Sequence, residues 1–300
     1  MIETLLATLT DYFVTPFSDY GFMRRALAAC LAISASAAPL GLFLMMRRMT
    51  LMGDAMSHAI LPGVSLAFVV AGVSLWHMTF GGLIAGLLIA MIAGAISRYT
   101  PLKEDASFTG IYIIALALGV MMITARGSAI DLMHMLFGNV LAVDAPSLFL
   151  ITGVASISVM TLAVIYRGLV MECCDPVFLM SVKGRGGLYH QIFLMLVVLN
   201  LVAAFQVLGT LMALGLMILP AISARFWVER LDSMLCLSVV LAIVASCIGL
   251  LLSYHVNVPS GPSIVLVAGG VYVLSLMIGR QGSILARYFP RKHYNLKETT

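Results

Sequence analysis

Apolar residues fill this chain in long runs, and the charged residues gather at the ends of those runs. A helix needs about 20 mostly apolar residues to cross a bilayer, since unpaired backbone cannot face lipid. Nine stretches fit that description, at 26–46, 51–71, 80–97, 108–124, 146–166, 191–206, 208–224, 234–254 and 263–278, with eight to ten admissible. The stretch 191–224 is uncharged, too long for one span and barely long enough for two, so a turn is expected within 206–210. Residues 1–22 contain Asp11, Pro16, Ser18 and Asp19 and read as a surface segment. They lack the basic start and small-residue cleavage site of a secretory signal. The fold class is therefore an all-α, polytopic helical bundle in a single domain over 1–300, with 281–300 as a cytoplasmic tail.

Composition agrees with the runs. The 300 residues are 62% hydrophobic and 10% charged, with a mean hydropathy of +1.08, which excludes a soluble domain. The 26 glycines and 21 methionines suit helices that approach closely in lipid. Cys30, Cys236 and Cys247 lie in apolar runs and Cys173-Cys174 in an expected cytoplasmic loop, so the five cysteines do not form a disulfide framework. Of the 17 lysines and arginines, all but Arg24, Arg25 and Arg126 fall on one side of the nine-span scheme. The positive-inside bias makes that side cytoplasmic, with the carboxyl terminus inside and the amino terminus outside. Arg24 and Arg25 sit against the rule.

Asp54 and His58 stand out inside the run that starts at Thr50. An i, i+4 spacing puts a carboxylate and an imidazole on one helix face, where they can hand a divalent cation through a membrane. The plainer reading of Asp54 is an interfacial acid paired with Arg47 or Arg48, or a helix cap. Ser57 is placed to support the pair with a hydrogen bond, and Pro62-Gly63 to break the helix and free carbonyls. His134, in the short piece from Asp131 to Asn139, is either a metal ligand at an outer entrance or an interfacial histidine. His77 and His255 belong to outer loops and His190 and His293 to cytoplasmic segments, all expected to be solvated. The loop 167–190 carries Glu172, Asp175, Lys183, Gly184, Arg185, Gly186 and Gly187 around a short apolar stretch, a composition that fits either a partner-docking helix or an ordinary loop. Gly82 and Gly86 form a GxxxG match of little specificity. There is no GxxxxGK[ST] phosphate loop and no HExxH, so ATP hydrolysis, if used, belongs to another chain.

Four motifs in order resemble the ABC-3 family of bacterial metal-importer permeases: the segment from Arg47 to Gly63, the segment from Asp131 to Val143 with Leu136-Phe137-Gly138, the segment from Leu208 to Arg225, and Pro259-Ser260-Gly261-Pro262. The resemblance covers about 24–279. It implies a permease that moves zinc or manganese, sometimes iron, by alternating access. Its implied partners are a second permease copy, a cytoplasmic ATPase dimer that binds the ATP, and an extracytoplasmic metal-binding protein. It further implies that Asp54 and His58 line the metal path and that Asp175, Gly184 and Gly187 lie where the ATPase docks. His134 departs from members with a small residue there, so the resemblance gives it no role. No permanently bound cofactor and no nucleic acid are expected. The alternatives are a proton-coupled secondary metal transporter, in which Asp54 and His58 titrate, and an intramembrane metalloenzyme, for which His134 is the one candidate third ligand at depth.

Overall fold

The computed structural model describes Tyr12 and residues 15–72, 74–101, 104–125, 140–174 and 186–285. Every regular element among them is helical: α1 (Thr15–Asp19), α2 (Gly21–Met46), α3 (Thr50–Ala59), α4 (Leu61–Ala71), α5 (Leu75–Tyr99), α6 (Glu104–Ala125), α7 (Ala145–Cys174), α8 (Gly186–Leu208), α9 (Thr210–Arg225), α10 (Leu231–Val256) and α11 (Ser260–Ile278). A 3₁₀ turn at Val140–Ala142 precedes α7.

Among the described residues, eight helical stretches are long and apolar enough to cross a membrane, with α3 and α4 together making one of them, Thr50–Val70. The ninth expected span is α9, which has only 16 residues and a length of about 24 Å at 1.5 Å per residue. It can be short because protein surrounds it: Met212, Ala213, Leu216, Met217, Ala221 and Ala224 are all buried. The break before it falls at Gly209, whose φ of 89° is a left-handed value that favours glycine. This lies inside the expected turn.

Helices run beyond the expected spans at several ends. Helix α2 starts at Gly21 and takes in Arg24 and Arg25, both exposed on its first turns. Helix α7 runs two turns past Tyr166, so Arg167, Glu172, Cys173 and Cys174 are helical rather than part of a loop. Helix α8 likewise begins at Gly186, which places Gly187 and His190 in helix as well.

Direction follows from the ends. Asp144 accepts a hydrogen bond from the Ser147 backbone N–H at 3.0 Å, a contact that caps α7. Hydrogen bonding from Ser147 holds the Asp144 carboxyl below its ordinary range, with a smaller lowering from the nearby Arg25 charge. At the other end of the same two helices, Arg47 reaches Glu172. Helices α2 and α7 therefore run side by side in parallel.

Glycine sets the closest approaches. A Cβ on Gly41 would collide with the Met217 backbone carbonyl, so α2 and α9 touch nearly backbone to backbone. Gly63 and Gly81 do the same for α4 and α5. The GxxxG pair is also a real contact: a Cβ on Gly82 would meet Ile60, and one on Gly86 would meet Val198. Helix α5 is thus seated between α4 and α8.

Candidate functional site

The site begins with the turn that ends α2. Met49 N–H donates to Leu44 C=O at 2.9 Å and Arg48 N–H to Met45 C=O at 3.0 Å, the paired bonds of a Schellman cap. Arg48 takes the left-handed position, with φ 59°, where glycine is the usual residue. This turn reverses the chain, projects Arg47 sideways and starts α3 at Thr50.

On α3, Met52, Ala55, Met56 and Ala59 are buried, while Leu51, Asp54 and His58 share the open face. Asp54 lies about 6 Å along the helix and His58 about 12 Å. The Asp54 side chain is 59% exposed and that of His58 29% in the single chain. His58 Nε2 and Asp54 Oδ1 are 3.7 Å apart, beyond hydrogen-bond range. Two donors at that separation can both reach one ion at about 2.1 Å each, since the gap is less than twice that length. The pair is open, polar and not consumed by an internal bond.

Ser57 does not support the pair. Its hydroxyl turns back to the Gly53 carbonyl at 3.0 Å, the usual alternative for a helical serine in an apolar setting. The helix break comes at Ile60, just before Pro62, which has no N–H to offer the His58 carbonyl four residues earlier. Gly119 of α6 packs directly on Leu61 and Pro62. The bend that carries His58 is held from that side by a residue with no side chain.

Arg47 does not pair with Asp54. Its guanidinium sits 2.9 Å from Glu172 Oε2 at the end of α7, and both side chains are only 11% exposed. Arg47 Nε donates to Cys173 Sγ at 3.3 Å, and a further guanidinium N–H donates to His190 Nδ1 on α8. Arg47 also lies over the Phe193 ring, 5.1 Å from its centroid. His190 is 7% exposed, contrary to its expected solvation. The pattern of Glu172 and His190 flanking a glycine-rich loop was visible in the sequence, but the convergence on Arg47 was not.

The remaining histidines divide. His77 is in the first turn of α5, not a loop, and its Nδ1 lies 2.8 Å from Ser74 Oγ. His255 closes α10 and stacks on Tyr12 with centroids 3.9 Å apart. His134, His293, Asp175 and Gly184 lie outside the described residues. Gly187 is exposed in the first turn of α8. Among the described residues no cluster of three or more His, Cys, Asp or Glu side chains is arranged to hold a metal. The Asp54/His58 pair supplies two donors and no more.

Eight apolar helical stretches of membrane-crossing length among the described residues, packed into one bundle, define a multi-pass membrane protein. The chain belongs to the ABC 3 transport family, whose model matches residues 19–279. It is 33% identical over 282 residues, 94% of this chain and 95% of the other, to the manganese transport system membrane protein MntC of Halalkalibacterium halodurans. Identity is 32% to the manganese import system permease ScaB of Streptococcus gordonii, over 93% of this chain and 98% of that one. The solved structure of PsaBC from Streptococcus pneumoniae in complex with Fab superposes with a TM-score of 0.80 at 32% identity, covering 92% of this chain and 98% of that chain. The protein is a multi-pass component of the cytoplasmic membrane.

Proposed function

We propose that this chain is the permease of an ATP-driven importer for a divalent metal, with Asp54 and His58 lining the path. The observation that carries this is the open face of α3, where a carboxylate oxygen and an imidazole nitrogen lie 3.7 Å apart about two turns or less inside a span. Ionisable side chains within a span are rare and typically mark an ion path or a water-filled cavity. Manganese is the favoured cargo, because the relatives named above are manganese systems. The donor types suit zinc equally, and geometry rather than raw affinity separates the two ions.

Two side-chain donors leave a divalent ion under-coordinated, so backbone carbonyls, water, His134 or a second permease copy complete its shell. The open face of α3 leaves room for that second copy. ATP is bound and hydrolysed by a cytoplasmic ATPase dimer that docks at Asp175, Gly184 and Gly187, and an extracytoplasmic protein delivers the metal. The permease itself is no enzyme and holds no resident cofactor. Alternating access follows: the ATPase rocks the permease, and the site opens outward and then inward.

The test is reconstitution. Permease alone in liposomes is expected to neither hydrolyse ATP nor concentrate Mn²⁺, and addition of the ATPase and the loaded delivery protein is expected to start both activities together. Accumulation by permease alone under a proton gradient would replace this reading with a secondary transporter.

A further inference from the structure

Arg47, Glu172 and His190 form a buried charged knot that the metal path does not use. Taking an arginine and a glutamate out of water is expensive, and such pairs often stabilise a fold less than apolar residues of the same size. Stability alone is therefore a poor reason for a membrane protein to place one where three helices meet.

The positions are specific. Arg47 is the last residue before the left-handed Arg48, three residues ahead of α3. Glu172 and Cys173 lie in the last turn of α7, and His190 lies on the opening turns of α8. These two helix ends bracket 175–185, the part of the sequence that includes Asp175 and Gly184. The bonds are directional as well. A guanidinium can only donate, so at this contact His190 Nδ1 is the acceptor. Glu172 Oε1 lies 4.0 Å from the same Nδ1, so the carboxylate and the imidazole both face the one guanidinium. Phe193 covers the guanidinium, and Phe43 and Tyr166 continue the packing from α2 to α7. Arg47 thus links both helix ends to the hydrogen-bonded turn that starts the helix carrying Asp54 and His58.

We infer that Arg47, held by Glu172 and His190, is a positioning residue that transmits the ATPase stroke to the metal site, so that its loss uncouples ATP hydrolysis from transport. The inference rests on the proposed function. A merely structural knot would show itself in stability, whereas a transmitting knot shows itself in metal moved per ATP consumed.

The deciding variant replaces the ion pair with apolar residues, Arg47→Met together with Glu172→Leu, a change that leaves no unpaired buried charge, the condition under which such replacements are often neutral or stabilising. The full complex of permease, ATPase and Mn²⁺-loaded delivery protein is reconstituted, and ATP hydrolysis, Mn²⁺ uptake and thermal midpoint are measured together. The expected result is an unchanged midpoint, ATP hydrolysis within about twofold of the parent, and at least a tenfold fall in Mn²⁺ per ATP. A parental ratio in the double variant overturns the inference. Should the double variant not assemble, His190→Phe, which fills the space without an acceptor, is judged by the same ratio. A parental complex without ATP-dependent uptake defeats the proposed function and this inference with it. Parental uptake with unchanged ratios in the variants defeats the inference alone.

Discussion

Two groups of polar residues sit within a few turns of each other on either side of the Arg48 bend, and they are built in opposite ways. Asp54 and His58 are half open and 3.7 Å apart, and among the described residues neither side chain is hydrogen-bonded to another helix. Arg47, Glu172 and His190 are closed off, with the arginine donating to groups from two other helices and covered by an aromatic ring. Exposed lone pairs cost little and can exchange water for an ion. Buried charges are costly unless every partner stays in place. The first arrangement suits a cargo that must come and go, and the second suits a joint that must not slip.

The comparison predicts opposite stability responses. Glu172→Ala strands a buried guanidinium and is expected to lower unfolding free energy by about 3–5 kcal/mol, while Asp54→Asn stays within about 0.5 kcal/mol of the parent. Chemical unfolding in detergent measures both, and equal losses would erase the distinction. Next in size is Gly41→Ala, where the added methyl meets the Met217 backbone. Overpacking there is expected to cost about 1–3 kcal/mol, whereas Gly110→Ala, with open space around it, costs nothing. The smallest effect is a gain: Arg48→Gly removes a side chain from a left-handed position and is expected to stabilise by about 1 kcal/mol. If it destabilises instead, Arg48 makes an interaction that the cap geometry does not account for.

Spans were legible because the sequence signals for them are local. An apolar run of the right length declares itself, and the length of the uncharged stretch 191–224 called for a turn within 206–210, where the break between α8 and α9 falls at Gly209. The helix ends were not, and the reason is tertiary. Glu172 looks like loop chemistry until Arg47, 125 positions earlier, neutralises it and lets α7 continue to Cys174. His190 looked solvated for the same reason: its partner is remote in sequence. Arg24 and Arg25 read as a boundary because charge usually marks one, yet both sit exposed on the first turns of α2, where long side chains reach water. At the site, the i, i+4 pairing of Asp54 with His58 was readable from helical periodicity alone. Ser57 was misread as a helper because its own helix offered a closer acceptor in Gly53.

The central claim is that Asp54 and His58 touch the cargo. The direct measurement is ATP-driven ⁵⁴Mn²⁺ uptake into liposomes holding the assembled complex, comparing the parent with Asp54→Asn and His58→Ala. Loss of a supporting partner near a metal typically costs 10–100-fold in affinity or activity, so loss of a ligand is expected to reduce uptake by about 100-fold or more, with complex assembly and thermal midpoint unchanged. Uptake at the parental rate in both variants would contradict the account.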